Sequence, residues 1–311
     1  MGNDEKTIKE VKIHLHKNFS IKDLRPLKYL IGIEVARSPG GFVISQRKYT
    51  LDILEDCGMQ RCRPSKFPME QNLCLTKDDD SKEVDAAKYR RLVGRLLYLT
   101  VPRPDIAYSV NQLSQFLNCP RQVHMDVVHR VIRYLKTTPG RGLFFPSSGN
   151  LNLIAYCDAS WFSFPTTKRS NIGYYISLGG APVSWRTKKQ SIVSRSSAEA
   201  EYRAMATTVC EVLWIRWLLE DFDYKKDYAT PLMCDNEAAK HIAENSVYHE
   251  RTKHVEMDCY FVRERVTSGE IKPCKIKSKL QPADIFTKAL GTYQFRFLRD
   301  KLGVRNLHSP T

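Results

Sequence analysis

The sequence predicts an α/β protein with a mainly helical N-terminal half and a C-terminal half in which strands alternate with helices. Over residues 86–138, apolar residues recur at helical spacing. Prolines separate three helices in this region: Pro102, Pro104, Pro120 and Pro139. From residue 151 the pattern changes to short apolar strands, so we expect a layered α/β domain there.

The N-terminal half also contains shorter elements. A helix is expected over 4–18, capped by Asn3 or Asp4. Two strands, 26–36 and 41–49, are expected around the turn at 38–41, followed by a helix over 51–57. The polar residues 59–85 are expected to form a long connecting loop.

The C-terminal half divides into strands and helices by the same criteria. The expected strands are 151–158, 172–180, 181–189, 191–197, 230–235 and 271–278. The expected helices are 198–220, one from Glu237, 255–267 and a final one from Pro282. The apolar stripe of the long helix includes Trp217, and we expect Trp214 and Trp217 to be core residues.

The composition favours a nucleic-acid-binding protein. Lys and Arg number 49 against 34 Asp and Glu, a formal net charge of +15, and both halves are basic. A solvated, lysine-rich surface is the alternative. The nine cysteines are irregularly spaced without a C-x-x-C pair, which argues against a disulfide framework and a zinc site.

The sequence also gives expectations about location. No apolar run is long enough to span a membrane, and the polar N-terminus does not resemble a signal peptide. We therefore expect no membrane association and an intracellular location, cytoplasmic or nuclear.

Acidic residues stand at the ends of several predicted elements of the C-terminal half. Asp158 and Asp235 close two strands, Glu201 lies near the start of the long helix, and Asp284 opens the last helix. If these side chains converge, their mutual repulsion requires cations, and oxygen ligands suit Mg²⁺ or Mn²⁺. The alternative is that they are unrelated turn, surface and N-cap residues.

Ordered motifs along the chain resemble copia-type LTR retrotransposon polyproteins, most closely those of plants. The motifs of the C-terminal half are AYCDASW (155–161), SRSSAEAEYRAMA (194–206), CDNEAAKHIAEN (234–245), ERTKHVEMDCYFVRE (250–264) and LQPADIFTKAL (280–290). Upstream, DLRPLKYLIGIEVA and YRRLVGRLLYLTVPRPDIAYSV also match. The resemblance covers nearly the whole chain.

This resemblance implies a ribonuclease H-like domain over 151–311, with a mixed five-stranded sheet and flanking helices. Residues 1–145 would be the palm end and thumb of a reverse transcriptase without the polymerase aspartates, so we expect no polymerisation by this chain alone. Asp158, Glu201, Asp235 and Asp284 match the family's acids that bind two Mg²⁺ ions, with Mn²⁺ as a substitute. Glu199 is the alternative to Glu201.

The resemblance further implies an RNA–DNA hybrid as substrate and other polyprotein parts, reverse transcriptase or integrase, as partners, in a cytoplasmic virus-like particle or the nucleus. Basic residues on or beside the predicted hairpin are candidates for phosphate contact: Lys168, Arg169, Arg186, Lys188, Lys189 and Arg195. A solvated hairpin is the alternative for them. Asn236 and His254 are possible accessory residues, although a structural hydrogen-bonding role is the simpler one for His254.

Three functions remain open from the sequence. The first is an active hybrid-specific ribonuclease, which the four acids favour. The second is a catalytically silent nucleic-acid-binding relic, favoured by departures from the family pattern such as Ser160 and Tyr260. The third is a structural partner that completes another subunit's polymerase.

Overall fold

A computed structural model describes residues 4–22, 27–77, 80–224, 228–244 and 256–306. The elements of the N-terminal half are α1 (Glu5–Asn18), β1 (Tyr29–Leu30), β2 (Ile33–Ser38), β3 (Gly41–Ser45), α2 (Arg47–Asp56), α3 (Ala86–Leu99), α4 (Ala107–Leu113), α5 (Gln122–Thr137) and β4 (Arg141–Pro146). Asp4 caps α1 through its side chain. The three expected helices of 86–138 are present, and α2 begins four residues before the expected start.

The second half is built around a five-stranded sheet. Its elements are β5 (Leu153–Phe164), β6 (Arg169–Leu178), β7 (Ala181–Lys189), α6 (Ser197–Asp221), β8 (Thr230–Cys234), α7 (Glu237–Glu244), α8 (Glu256–Thr267), β9 (Ile271–Lys275), α9 (Thr292–Lys301) and β10 (Val304–Asn306). The strand order is β7-β6-β5-β8-β9, with β5 to β7 antiparallel and β8 and β9 parallel to β5. This is the ribonuclease H-like arrangement, so the expected fold class is confirmed.

Several expected elements differ from the structure. The single strand expected over 26–36 is split into the antiparallel strands β1 and β2, because Ile31 and Gly32 form a turn with positive φ between them. The segment 191–197 contains no strand, since Trp161 and Gln190 hold it by side-chain bonds to Ser194 instead of a ladder. The strand expected to end at Asp158 continues to Phe164, because residues 159 and 160 still pair with β6. The final helix is split into a 3₁₀ turn, Pro282–Phe286, which we call the Asp284 turn, and α9.

Helix α6 packs on one face of this sheet. Its residues Met205, Val209 and Val212 are fully buried against the sheet core. Trp214 and Trp217 are 55% and 59% exposed, so the expectation that they are core residues was wrong. The apolar stripe of this 25-residue helix is wide, and spacing alone did not show which of its flanks faces the sheet.

The chain end returns to the N-terminal half. Strand β10 pairs with β4, completing a second sheet of order β1-β2-β3-β4-β10. Phe286, Phe295 and Leu298 belong to the same buried cluster as the cores of α3 to α5. The domain division at 151 stays a prediction, and the two halves share this core. Within the described part of the chain, no helix combines the length and apolarity needed to cross a bilayer.

Candidate active site

The acids of the C-terminal half meet where strand β8 stops. The last pair between β5 and β8 joins Tyr156 to Met233, so Asp158 and Asp235 both lie two residues beyond it, at the same level of the sheet. One carboxylate oxygen each from Asp158, Asp235 and Asp284 lies within 4.8 Å of the others. Parallel strands thus bring these acids to one rim, as the sequence predicted for ligand sites in such sheets.

Glu201 and Asp235 form a second group with the Cys234 thiol within the same distance limit. Asp235 is common to both groups. Glu201 is 6% exposed, and its Oε2 atom is buried and accepts no hydrogen bond from the residues that the structure describes. A buried carboxylate oxygen without a donor is costly, and through this oxygen Glu201 could hold a cation.

Burial raises the pKa of Asp158, Glu201 and Asp284. Desolvation and the neighbouring Asp158 carboxylate raise the pKa of Glu201 well above its usual value. For Asp284, burial and the same carboxylate raise the pKa to about 8, against the opposing effect of Lys288. Burial raises the pKa of Asp158 too, while Lys288 and the Thr287 hydroxyl limit the increase. Without a cation, the cluster resists full ionisation.

Two residues that the sequence analysis did not single out contact the acids directly. The Thr287 hydroxyl donates a hydrogen bond to Asp158 Oδ2. Lys288 Nζ lies 3.0 Å from Asp284 Oδ1 and 3.6 Å from Asp158 Oδ2. Both follow Asp284 in the LQPADIFTKAL motif, and the i,i+4 spacing of Asp284 and Lys288 was the available signal.

The Asp284 turn is fixed to the sheet by buried amides. Gln281, fully buried, donates to the carbonyls of Cys157 (2.9 Å) and Met233 (3.3 Å), and so joins β5 to β8 beside the acids. Asn171 donates to the Phe286 carbonyl at 3.0 Å. These bonds position Asp284, and no local pattern in the sequence indicated them, because their partners are more than 40 residues away.

Glu199 and Glu201 face different surroundings. Glu199 Oε2 accepts the Arg195 backbone N–H at 2.8 Å, and its Oε1 pairs with Arg203 at 2.9 Å. Both oxygens are therefore engaged in holding the start of α6. Glu201, one half-turn further, points to Asp235. This geometry favours Glu201 over Glu199 as the residue that faces a metal.

The residues present fit a divalent cation that prefers oxygen. Four carboxylates from four elements approach one region, and Glu201 offers a free buried oxygen. The soft Cys234 thiol departs from such a donor set, but its Sγ contacts the Asn236 carbonyl at 3.7 Å. Mg²⁺ or Mn²⁺ fits this set better than a thiolate-preferring ion.

The candidate phosphate-contacting residues are spread over two faces of the sheet. Along β7, Arg186 and Lys188 are exposed on one face, whereas Lys189 points to the other, toward α4. Lys168 is exposed at the β5–β6 turn and lies over the Phe162 ring at 4.8 Å. The structure therefore does not gather these residues into one patch. Arg169 is half-buried and Arg195 is exposed.

The accessory candidates have different positions. Asn236 Oδ1 accepts the Ala239 N–H at 3.0 Å, so Asn236 caps α7. His254 lies outside the described residues. Cys157 and Cys234, which precede Asp158 and Asp235 along the chain, are buried in the core of the sheet.

Comparison with known proteins adds the lineage. The family model for reverse transcriptase (RNA-dependent DNA polymerase) matches residues 1–71. The chain is 39% identical over 303 residues, 97% of its length, to the "Retrovirus-related Pol polyprotein from transposon RE2" of Arabidopsis thaliana. It is 34% identical to the "Putative transposon Ty5-1 protein YCL074W" of Saccharomyces cerevisiae, over 65% of this chain and 67% of that protein. The chain belongs to the copia-type retrotransposon polyproteins.

This copia-type chain spans about one fifth (21%) of the length of the RE2 polyprotein. Among solved structures, it is similar to LC11-RNase H1, described in complex with RNA/DNA hybrid, with 15% identity, coverage of 44% of this chain and 94% of that chain, and a TM-score of 0.34. Membership of the copia-type family accounts for the order of the motifs along the chain.

Proposed function

We propose that this chain contains the ribonuclease H part of a retrotransposon polyprotein and hydrolyses the RNA strand of an RNA–DNA hybrid with divalent metal ions. The observation that carries the proposal is the convergence of Asp158, Glu201, Asp235 and Asp284 at one rim of the sheet. Four buried or half-buried carboxylates without enough counter-charge require cations.

Two cation positions follow from the two groups of ligand atoms. Asp158, Asp235 and Asp284 would hold one ion, and Glu201 with Asp235 the other. When bound, such ions activate a water molecule and neutralise charge on the phosphodiester. Asp235 would be the ligand shared by both ions, and it is the least buried of the four acids.

The chain's own residues prepare the acids. The Thr287 hydroxyl fixes the Asp158 carboxylate by donating to Oδ2. The Gln281 amide holds the ends of β5 and β8 at a constant separation. Lys288 supplies one positive charge beside two acids and a donor at the edge of the site. The basic residues around the hairpin would contact phosphates of the hybrid.

The test is cleavage of a hybrid with a labelled RNA strand, with Mg²⁺ and with a chelator. We expect the wild type to cut only with Mg²⁺, and Asp158→Asn to bind the hybrid without cutting, since phosphate contacts do not depend on this acid. Asp221→Asn is the matched control. This substitution removes the same charge, and Asp221 is exposed at the end of α6.

The outcomes separate the candidate functions. Equal cleavage by wild type and Asp158→Asn would show that another site or a contaminant cuts the RNA. Binding by the wild type without cleavage at any Mg²⁺ or Mn²⁺ concentration would replace this proposal with the silent nucleic-acid-binding relic.

A further inference from the structure

Two asparagine side chains connect helix α4 of the first half to the acids of the second half. Asn111 on α4 is half-buried, and its Nδ2 donates to Asn171 Oδ1 and to Thr187 Oγ1, each at 3.3 Å. Asn171 on β6 is fully buried. Its own Nδ2 donates to the carbonyls of Phe286 at 3.0 Å and Thr287 at 3.4 Å. We call Asn111 and Asn171 the amide relay, because together they join α4 to the end of the Asp284 turn.

Asn111 favours one orientation of the Asn171 amide. An asparagine amide keeps nearly the same shape when its oxygen and nitrogen exchange places, so its hydrogen-bond partners decide which way it faces. In the structure, Asn171 Oδ1 accepts from Asn111, and Nδ2 donates to the two carbonyls at the end of the turn. In the reversed orientation, the oxygen would face those carbonyls and the nitrogen would face the Asn111 donor. Asn111 therefore stabilises the orientation in which Asn171 holds the turn.

Thr287 transmits this orientation to the acids. Its hydroxyl donates to Asp158 Oδ2, and its backbone N–H donates to the Asp284 carbonyl at 3.1 Å. The position of Thr287 therefore affects two of the four acids. Phe286 belongs to the same buried cluster as Val110 of α4, so apolar packing also holds the turn near the first half. Apolar packing is non-directional, whereas the hydrogen bonds of the relay fix the direction of the carbonyls.

From this geometry we infer that Asn111 is a positioning residue for the nuclease site, and that the first half of the chain supports hydrolysis by holding the Asp284 turn through Asn171. The inference rests on the proposed function, because the acids that are positioned are those of the hybrid nuclease. Loss of a partner behind a metal ligand typically lowers metal affinity or activity about 10–100-fold. Asn111 acts through Asn171 and Thr287, so we expect an effect at the lower end of this range.

Steady-state cleavage of a labelled hybrid, over a series of Mg²⁺ concentrations, tests the inference. We expect Asn111→Ala to lower kcat about tenfold and to raise the Mg²⁺ concentration of half-maximal activity. KM for the hybrid should stay the same, because the acids are displaced and the phosphate contacts are not. Asn111→Asp keeps the shape but places a carboxylate oxygen against Asn171 Oδ1, where two acceptors repel each other. It should therefore lower kcat further than Asn111→Ala.

Gln115→Ala is the matched control, because it also removes a hydrogen bond between the two halves. Gln115 follows α4, and its Oε1 accepts from Lys189 Nζ on β7 at 3.0 Å. Among the described residues, this pair makes no hydrogen bond to Asn171 or to the Asp284 turn. Gln115→Ala should therefore leave kcat and the Mg²⁺ dependence unchanged. Thermal melts of both variants show whether a loss of kcat merely follows a loss of stability.

A double-mutant cycle shows whether Asn111 acts through Thr287. Thr287→Val removes the hydroxyl that donates to Asp158. Since both substitutions release the same end of the turn, the double variant Asn111→Ala/Thr287→Val should lose little more kcat than Thr287→Val alone. Fully additive losses would overturn the inference.

NMR of the metal-free protein gives a readout that is independent of cleavage. The backbone amide resonance of Thr287 should shift in Asn111→Ala and stay in place in Gln115→Ala. Titration of this resonance with Mg²⁺ should show weaker binding in Asn111→Ala alone. An unchanged resonance and kcat in Asn111→Ala would overturn the inference, as would equal effects of Gln115→Ala. If the wild type does not cleave the hybrid, the proposed function fails, while the same resonance and its Mg²⁺ titration still test the relay.

Discussion

Lys288 Nζ lies 3.0 Å from Asp284 Oδ1, four residues earlier in the chain, and 3.6 Å from Asp158 Oδ2 on another strand. The ammonium group therefore stands between two carboxylates that are also candidate metal ligands. Burial lowers the pKa of Lys288, but the two carboxylates outweigh it and raise the pKa above its ordinary value. The lysine is thus a built-in counter-charge for the metal-free cluster.

Replacing Lys288 should increase the response of the protein to Mg²⁺. We expect Lys288→Met to lower the metal-free free energy of unfolding by roughly 1 kcal/mol, a value reduced for solvent screening because this side chain is 39% exposed. Added Mg²⁺ should then raise the Tm more than in the wild type, since the ion replaces the missing charge. Thermal melts with and without Mg²⁺ measure both effects, with Lys272→Met as control because Lys272 is exposed on β9. An identical Mg²⁺ response in Lys288→Met and wild type would contradict the counter-charge role.

Substitutions of Glu199 and Glu201 on α6 should have different effects on cleavage and on stability. We expect Glu201→Gln to reduce hybrid cleavage by on the order of a hundredfold or more. Loss of a metal ligand should lower activity at least as much as loss of a residue that hydrogen-bonds to a metal ligand. In metal-free buffer the same variant should be more stable than the wild type, because it removes a buried carboxyl group whose Oε2 atom has no donor among the described residues.

Glu199→Gln is the matched variant. It should retain most of the cleavage activity yet lose about 1–3 kcal/mol of stability, because Glu199 holds Arg203 and the Arg195 N–H. The measurements are cleavage rates and melts. The reverse pattern, with Glu199→Gln inactive and Glu201→Gln active, would make Glu199 the metal ligand.

Metal-free stability should fall as pH rises from about 4 to about 8. Asp284 has a folded pKa of about 8 against an ordinary value of 3.8, so in this window the folded state retains a proton that the unfolded state has released. Stability falls with pH wherever the folded state binds more protons. Asp284→Asn should flatten this slope, and Asp221→Asn should not. Chemical denaturation at a series of pH values in chelator measures it, and a wild-type slope that Asp284→Asn leaves unaltered would count against the buried, protonated Asp284.

Gly173 is required by close packing of the Asp284 turn on β6. An added Cβ would lie 2.7 Å from Phe286 Cβ and 2.8 Å from Thr287 Cγ2, closer than such atoms approach. We expect Gly173→Ala to cost about 1–3 kcal/mol and to reduce cleavage about tenfold or more by displacing Thr287 and Asp284.

Gly94→Ala is the control for this substitution. Gly94 lies inside α3 with open space around its Cβ position, so alanine there should stabilise the protein by about 0.5–1 kcal/mol. Melting and cleavage assays of both variants give the comparison. Full activity of Gly173→Ala would mean that the turn moves without disturbing the acids.

Much of the fold was predictable because it is local. The periodicity of α6 and the proline-separated helices of 86–138 predicted elements that the structure contains, since helical amphipathicity repeats within a few residues. Strand ends were harder to predict. Asp158 lies in the middle of β5 because its antiparallel neighbour β6 continues, while its parallel neighbour β8 stops. The open rim comes from the end of the neighbour and is invisible in the pattern of β5 itself.

The sequence by itself determined most of the elements, their order and the four candidate acids, because residue type, spacing and motif are local properties. Only the tertiary structure showed that Glu199 engages Arg203 and the Arg195 N–H, while Glu201 lies beside Asp235. The tertiary structure also divided the basic residues between two faces and placed Lys288 beside Asp158, 130 positions away. Such contacts depend on chain packing in three dimensions, where a single residue of register turns a side chain to the other face of a sheet.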